Sequence, residues 1–345
     1  MLLSFYLPHT PYSGDAALME RMAYEFVEDQ ARDCVAYCEV RFSPQQLLPS
    51  HNLTPSEEET DLNGSVNRAK EMAVDDVLDA VLKGLARGEQ QFGTKARVIL
   101  CCVRQQSEWS WDTLRLCEEY KERGVVGIDL SGDEGLGSES ESFTKSDVEF
   151  AVFQAAKEKG IHRTVHACEE GPAICVKKAV EMFGAERIGH GYRVLEDEEI
   201  YKRCQQENIH FEVCPHSSYL TGDVQSLTTP SKRHPILRFA EDEVSFSINS
   251  DDPTFTHTRL SDEYKLLRSW GFTEAHLTHA NFQAALHSFL PPEEKKQLID
   301  QLQQAYGCIH YSLPPSSSST SPSVTRSSTP PPKPSVTFGT WDERS

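Results

Sequence analysis

Short runs of β-branched and apolar residues alternate along the chain with longer stretches whose apolar positions recur every three or four residues. The short runs, at residues 34–42, 97–103, 125–130, 163–167, 187–191, 209–214 and 244–250, predict seven strands. The longer stretches predict helices over 15–30, 74–92, 111–121, 146–159, 172–183 and 197–206, the first with Leu18, Met22 and Phe26 on one face. Strand and helix in strict alternation imply a parallel sheet. Several of the strands are apolar along most of their length, as strands covered on both faces are. Residues able to do chemistry fall where strands end: Gly132, His166, His190, Asp251 and Asp252. Their spread over four strands favours a barrel mouth over the single crevice of a doubly wound sheet. A parallel barrel closes with eight strands and only seven are read, in a chain that opens on a helix. The expected fold is therefore an α/β, TIM-like (β/α)8 barrel with its first strand missing, occupying residues 1–310.

From Tyr311 the sequence becomes YSLPPSSSSTSPSVTRSSTPPPKPSVTFGTWDERS, too poor in apolar residues to build a core. A disordered Pro/Ser/Thr-rich tail is expected over 311–345. Its PPPKP stretch is compatible with a weak SH3-type ligand and equally with a passive tail.

A formal net charge of −19 disfavours nucleic acid and anionic membranes as partners and leaves a neutral or cationic small molecule as the easier ligand. Apolar runs are far shorter than the ~20 residues of a membrane span, so no membrane insertion is expected. MLLSFYLPHT lacks a basic n-region, which makes the cytoplasm the expected compartment. Ten cysteines contain no CxxC pair, which argues against a zinc finger and against a cytidine-deaminase type of zinc site. Cys34, Cys38, Cys101, Cys102 and Cys214 lie in apolar runs and are read as buried thiols.

Four segments carry candidate chemistry. In TVHACEEG, His166 ends a strand, His162 lies ~13 Å down the same face, and the chain must turn if Glu169 is to share a cleft with His166. A strand-end histidine alone serves as a structural residue or as a ligand, and the pattern leaves both open. In RIGHGY, glycines on either side of His190 allow close approach to its ring, which a buried, hydrogen-bonded histidine would also explain. SFSINSDDP puts two adjacent carboxylates after an apolar strand, either as a cation site or as a solvated turn. GIDLSGDEG places Gly132 just past a strand, where its N–H could meet a ligand or simply open a turn. Together, histidine and carboxylate ligands with a further histidine and glutamate are the parts of a metal-assisted hydrolysis site.

Taken in order, IDLSGDE, TVHACEE, IGHGY, HFEVCPHSSYLTG and INSDDP, with AYEFVEDQA near the start, resemble vertebrate-type adenosine deaminases of the amidohydrolase superfamily over residues 2–306. The resemblance implies zinc-dependent hydrolytic deamination of adenosine and 2'-deoxyadenosine. It implies His166 and Asp251 as zinc ligands, Glu169 as the proton donor to the purine ring, and His190 as the residue that activates and orients the attacking water. It further implies purine contacts from Asp252 and from the Gly132 N–H. The family also allows a cell-surface or lysosomal location and association with cell-surface proteins.

Two departures qualify these expectations. The family's first strand carries His-x-His, supplying two more zinc ligands, and these 345 residues contain no such sequence; His9 and His51 have neither the spacing nor a strand around them. Leu2 and Phe5 resemble an apolar lid over the substrate. The chain is therefore expected to expose the edges of the 34–42 and 244–250 strands, to fold poorly, to bind zinc weakly and to show no measurable turnover. Cys168 stands where the family has glycine, with a Cβ expected to crowd a tight turn. The alternative to an enzyme is a catalytically inactive relative that binds nucleosides or a protein partner.

Overall fold

Asp15 fixes where the first long helix begins. Its carboxylate accepts the Leu18 N–H at 3.0 Å, an N-cap for α1 (Ala16–Arg32). In the computed structural model the described residues are 2–4, 14–49, 72–134, 148–222, 224 and 233–307, with only the backbone described for 2–4. The proposed tail, its PPPKP stretch, His9, His51 and Phe5 lie outside them.

Eight parallel strands follow one another in chain order: β1 (Leu2–Ser4), β2 (Tyr37–Phe42), β3 (Lys95–Val103), β4 (Val125–Ser131), β5 (His162–Ala167), β6 (Arg187–His190), β7 (His210–Val213) and β8 (Phe246–Ile248). Every strand read from the pattern is present. Between them lie α2 (Val74–Phe92), α3 (Ser110–Glu119), α4 (Val148–Glu158), α5 (Ile174–Glu181) and α6 (Glu198–Glu207), within two residues of the ranges expected at every boundary. Periodicity did not reveal α7 (Pro215–Thr221), α8 (Pro235–Glu241), α9 (Pro253–Thr256), α10 (Leu260–Ser269), α11 (Glu274–Leu286) or α12 (Pro292–Tyr306). Of these, α7, α8 and α9 are shorter than the apolar period needs to declare itself.

The strand count requires one correction. Leu2–Ser4 is a strand and pairs in parallel with Glu39, Val40 and Arg41 of β2. The edge of β2 presents unpaired N–H and C=O groups, and this short extended segment satisfies three residues of it. Among the described residues no pairing joins β8 to β1, so the sheet is curled but carries a seam. A cavity of about 250 Å³ lies at that seam, with Tyr37 and Glu39 of β2 on one side and Ser247 and Ile248 of β8 on the other.

A second correction concerns Cys34, which is exposed and sits in the left-handed region at φ 57, just past α1. It belongs to the turn that ends the helix; Cys38, Cys101, Cys102 and Cys214 are buried as expected.

The apolar residues pack between sheet and helices, whereas part of the lumen is charged. Arg41 bonds Asp129 at 3.1 Å and Glu212 at 2.7 Å, while Arg187 bonds Glu39 and Glu212, both at 2.7 Å. All five side chains are at most 4% exposed. Thr164 and Tyr37 donate to Glu212 and Glu39 respectively, completing carboxylates that would otherwise be costly to bury.

Candidate metal centre and active site

At the carboxyl ends of β5, β6 and β8 the backbone leaves ordinary strand geometry. Cys168, His190 and Asp251 adopt φ 59, 60 and 57, left-handed values that cost a residue with a Cβ on the order of 1–2 kcal/mol. Each turn interrupts the alternation of side chains along its strand and redirects a group at the mouth. The result is a tight cluster: His190 Nε2 lies 3.5 Å from Glu169 and 3.8 Å from Asp251, and the His166 and His190 rings are 5.3 Å apart. Cys214, after β7, joins it, its Sγ lying with His190 and Asp251 donor atoms so that all are within 4.8 Å of one another. Burial, reinforced by the Asp251 charge, pushes the Cys214 thiol well up.

His166 is oriented from below. Its Nδ1 lies 3.0 Å from a carboxylate oxygen of Asp129, which is fully buried and shares Arg41. Burial alone would raise the Asp129 carboxyl, but His166 and Arg41 hold it well below the usual carboxylate range. With Nδ1 engaged, Nε2 is the nitrogen His166 can offer to a ligand. Glycine at 189 is needed for this arrangement, since a Cβ there would come within 3.1 Å of the His166 ring.

Gly132 sits at φ +95, where a Cβ would also lie 2.5 Å from Gln105 Oε1. Its carbonyl and that of His166 both accept from the Arg104 guanidinium, which thereby ties the ends of β4 and β5 together. Asp252 adjoins Asp251 and opens α9, its carbonyl accepting the Phe255 and Thr256 N–H groups at 2.9 Å. The structure thus brings Glu169, His190, Asp251 and His166 into direct proximity and sets Gly132 and Asp252 on the same rim. Cys168 holds a left-handed φ of 59 that favours glycine, the strain expected of a Cβ at this turn; its side chain is buried and its thiol donates to the Pro172 carbonyl at 2.9 Å.

Pattern reading missed the residue that holds this turn. Glu134 accepts four backbone N–H groups, those of Cys168, Glu169, Glu170 and Gly171, at 2.8–2.9 Å. It lies inside the GDE sequence, but only the fold shows its carboxylate gripping a loop more than thirty residues away. Glu134→Ala leaves these donors without their acceptor and is expected to cost on the order of 2–4 kcal/mol, with Glu134→Gln losing roughly half as much. Urea unfolding of the two variants checks the order; equal stability of Glu134→Ala and the parent would contradict it.

Glu263 introduces a pH dependence. Burial raises its carboxyl from 4.5 to about 8, against the His216 N–H and the Thr258 hydroxyl, with the Asp251 charge adding to the rise. A raised folded-state value means stability from this group is fully present below about 4.5 and is lost as pH rises through about 8. Glu263→Gln should therefore flatten the decline between those values, and melting temperatures across that window measure it. A parallel decline in both proteins would exclude Glu263 as its source.

A parallel α/β barrel sheet with histidine and carboxylate groups converging at the carboxyl ends of its strands defines a metal-dependent hydrolase class of site. The adenosine deaminase family model matches residues 12–305, and the chain belongs to that family. It is 44% identical to an adenosine deaminase of Bos taurus over 305 residues, 88% of this chain and 79% of the bovine protein. It resembles the N6-methyl-AMP deaminase of Arabidopsis thaliana at TM-score 0.68 and 25% identity, over 85% of this chain and 80% of that one. A Burkholderia ambifaria amidohydrolase solved with bound zinc shares the fold at TM-score 0.64 and 22% identity, covering 84% and 75% of the two chains. Imidazole, carboxylate and thiol donors gathered in one cleft fit a borderline divalent ion in kind.

Among the described residues no helix is long and apolar enough to cross a membrane.

Proposed function

We propose that the chain acts in zinc-dependent hydrolytic deamination of adenosine and 2'-deoxyadenosine to the corresponding inosines, in purine salvage in the cytoplasm. The observation that carries this reading is the placement of His190 Nε2 between Glu169 and Asp251, at 3.5 and 3.8 Å. Zinc, which His166 and Asp251 would hold, supplies Lewis acidity that brings the pKa of water from ~15.7 toward ~7. His190 accepts and holds a proton at Nε2, facing the carboxylate of Asp251. Glu169 delivers a proton to the purine ring nitrogen beside the amino-bearing carbon, on a turn that Glu134 keeps rigid. The Gly132 N–H and the Asp252 carboxylate orient the base, and the neutral nucleoside suits a chain of net charge −19. Residues 1–310 make up the catalytic domain and 311–345 an appended tail.

Two protein ligands position zinc loosely, and a displacement of ~1 Å can cost ~100-fold in rate. Turnover by the 345 residues alone should therefore be at least about 100-fold below that of the same chain extended at its amino terminus by a strand carrying His-x-His. Conversion of adenosine to inosine with one ammonia released per turnover measures both forms. If the extended form leaves every purine nucleoside intact, the assignment is wrong; equal rates for the two forms would defeat the ligand-count explanation.

A further inference from the structure

We propose that Arg193 is a positioning residue for the proton donor: it latches the turn that carries Glu169 to the loop that follows His190. The inference rests on the preceding reading of Glu169 and extends it to a residue outside the cluster.

The turn over residues 168–171 is gripped from one side through its N–H groups, all four donated to Glu134. Arg193 grips the same turn through carbonyls. Its backbone N–H donates to the Cys168 carbonyl at 3.4 Å, and its guanidinium Nη1 donates to the Glu170 carbonyl. The two accepting residues flank Glu169 in the sequence, so the chain is tied on both sides of the proton donor. Glu196 sets the direction of the guanidinium. Its carboxylate oxygens take Nε at 3.1 Å and Nη2 at 3.3 Å in a fork, which leaves Nη1 for Glu170. With side chains 29% and 35% exposed, that ion pair adds little stability; its effect is to fix a plane.

Arg193 stands three residues after His190, on the 3-10 turn Tyr192–Glu196, which begins after two successive left-handed residues, His190 and Gly191, at φ 60 and 74. The chain leaving β6 is thereby brought back against the turn leaving β5. His190 Nε2 and Glu169 lie 3.5 Å apart, and the latch joins the two backbones that carry them. Glu134 holds the shape of the turn; Arg193 holds its place relative to His190. Lysine at 193 could donate to Glu170 but has no planar fork for Glu196, so it would keep a bond and lose the direction.

In the full 345-residue chain, amide hydrogen exchange at residues 168–171 should quicken on the order of tenfold in Arg193→Ala and by less in Arg193→Lys. In the chain extended by a His-x-His strand, Arg193→Ala should lower kcat ~10- to 100-fold with KM changed only a few-fold, and Arg193→Lys should recover part of the loss. In a Glu169→Gln background the same Arg193→Ala change should cost less than about threefold, because no proton donor is left to place. An arginine that only stabilises the fold would cost the same factor in both backgrounds. Unchanged exchange in Arg193→Ala, or rate losses that multiply in the double variant, overturns the proposal. Turnover by the extended chain with unchanged exchange overturns the latch and leaves the deaminase reading standing. Faster exchange in a protein of which no form deaminates supports the latch and defeats the deaminase reading. Should Arg193→Ala fail to fold, Glu196→Gln weakens the fork from its exposed side and should move both readouts in the same direction by a smaller factor; no change in either overturns the proposal as well.

Discussion

Arg41→Ala is expected to lower the unfolding free energy by about 3–5 kcal/mol, the cost typical of breaking a buried ion pair from one side. Arg41 is 3% exposed and neutralises Asp129 and Glu212 at once, bonding them at 3.1 and 2.7 Å. Without it, the lumen holds three carboxylates, Glu39, Asp129 and Glu212, against the single guanidinium of Arg187. Coulomb repulsion and desolvation then act in the same direction. Because Asp129 also orients His166, the damage reaches the mouth. Adding Asp129→Asn to Arg41→Ala removes one of the stranded charges and should recover part of the loss, a non-additivity that a double-mutant cycle in urea reads directly. A single-variant loss below about 1 kcal/mol would mean that water enters the lumen and solvates the carboxylates.

Glu169→Gln should reduce adenosine turnover by ~10²–10⁴-fold in a form of the chain that deaminates, with substrate binding changed only a few-fold. The amide keeps the size of the side chain and its place on the turn, since the clamp of Glu134 grips the backbone N–H groups and not the side chain. What is lost is the proton. His190, 3.5 Å away, faces Asp251 through the same nitrogen. Steady-state kinetics with adenosine separates the two quantities; a variant retaining more than a tenth of the parent kcat would remove Glu169 from its role as proton donor.

Strands were legible in the sequence because parallel strands covered on both faces concentrate β-branched and apolar residues, as 97–103 shows. The rim residues were legible for a related reason: a polar residue closing an apolar run stands out, and five motifs in order name a family. Burial within the lumen was not. Glu39, Arg41, Arg187 and Glu212 read locally as ordinary polar positions of half-exposed strands, and only the curvature of the sheet sets them against one another. Glu134 and Asp129 share that opacity, since their partners are far off in sequence. Leu2–Ser4 was opaque differently: three residues are too few for a period, and their pairing is decided by the free edge they meet.

The seam between β1 and β8 changes how the sheet can come apart. A closed ring of strands has no end, so the loss of any one strand must break two ladders at once. An open sheet has ends. Here a three-residue ladder guards one of them, and β8, also three residues long, forms the other. Local opening can start at either terminus of the sheet and travel inward a single ladder at a time, the six-pair β2–β3 and β3–β4 ladders being the longest it meets. Asp251 belongs to the end that frays and Gly132 to the part that holds, so the two sides of one cleft have unequal lifetimes.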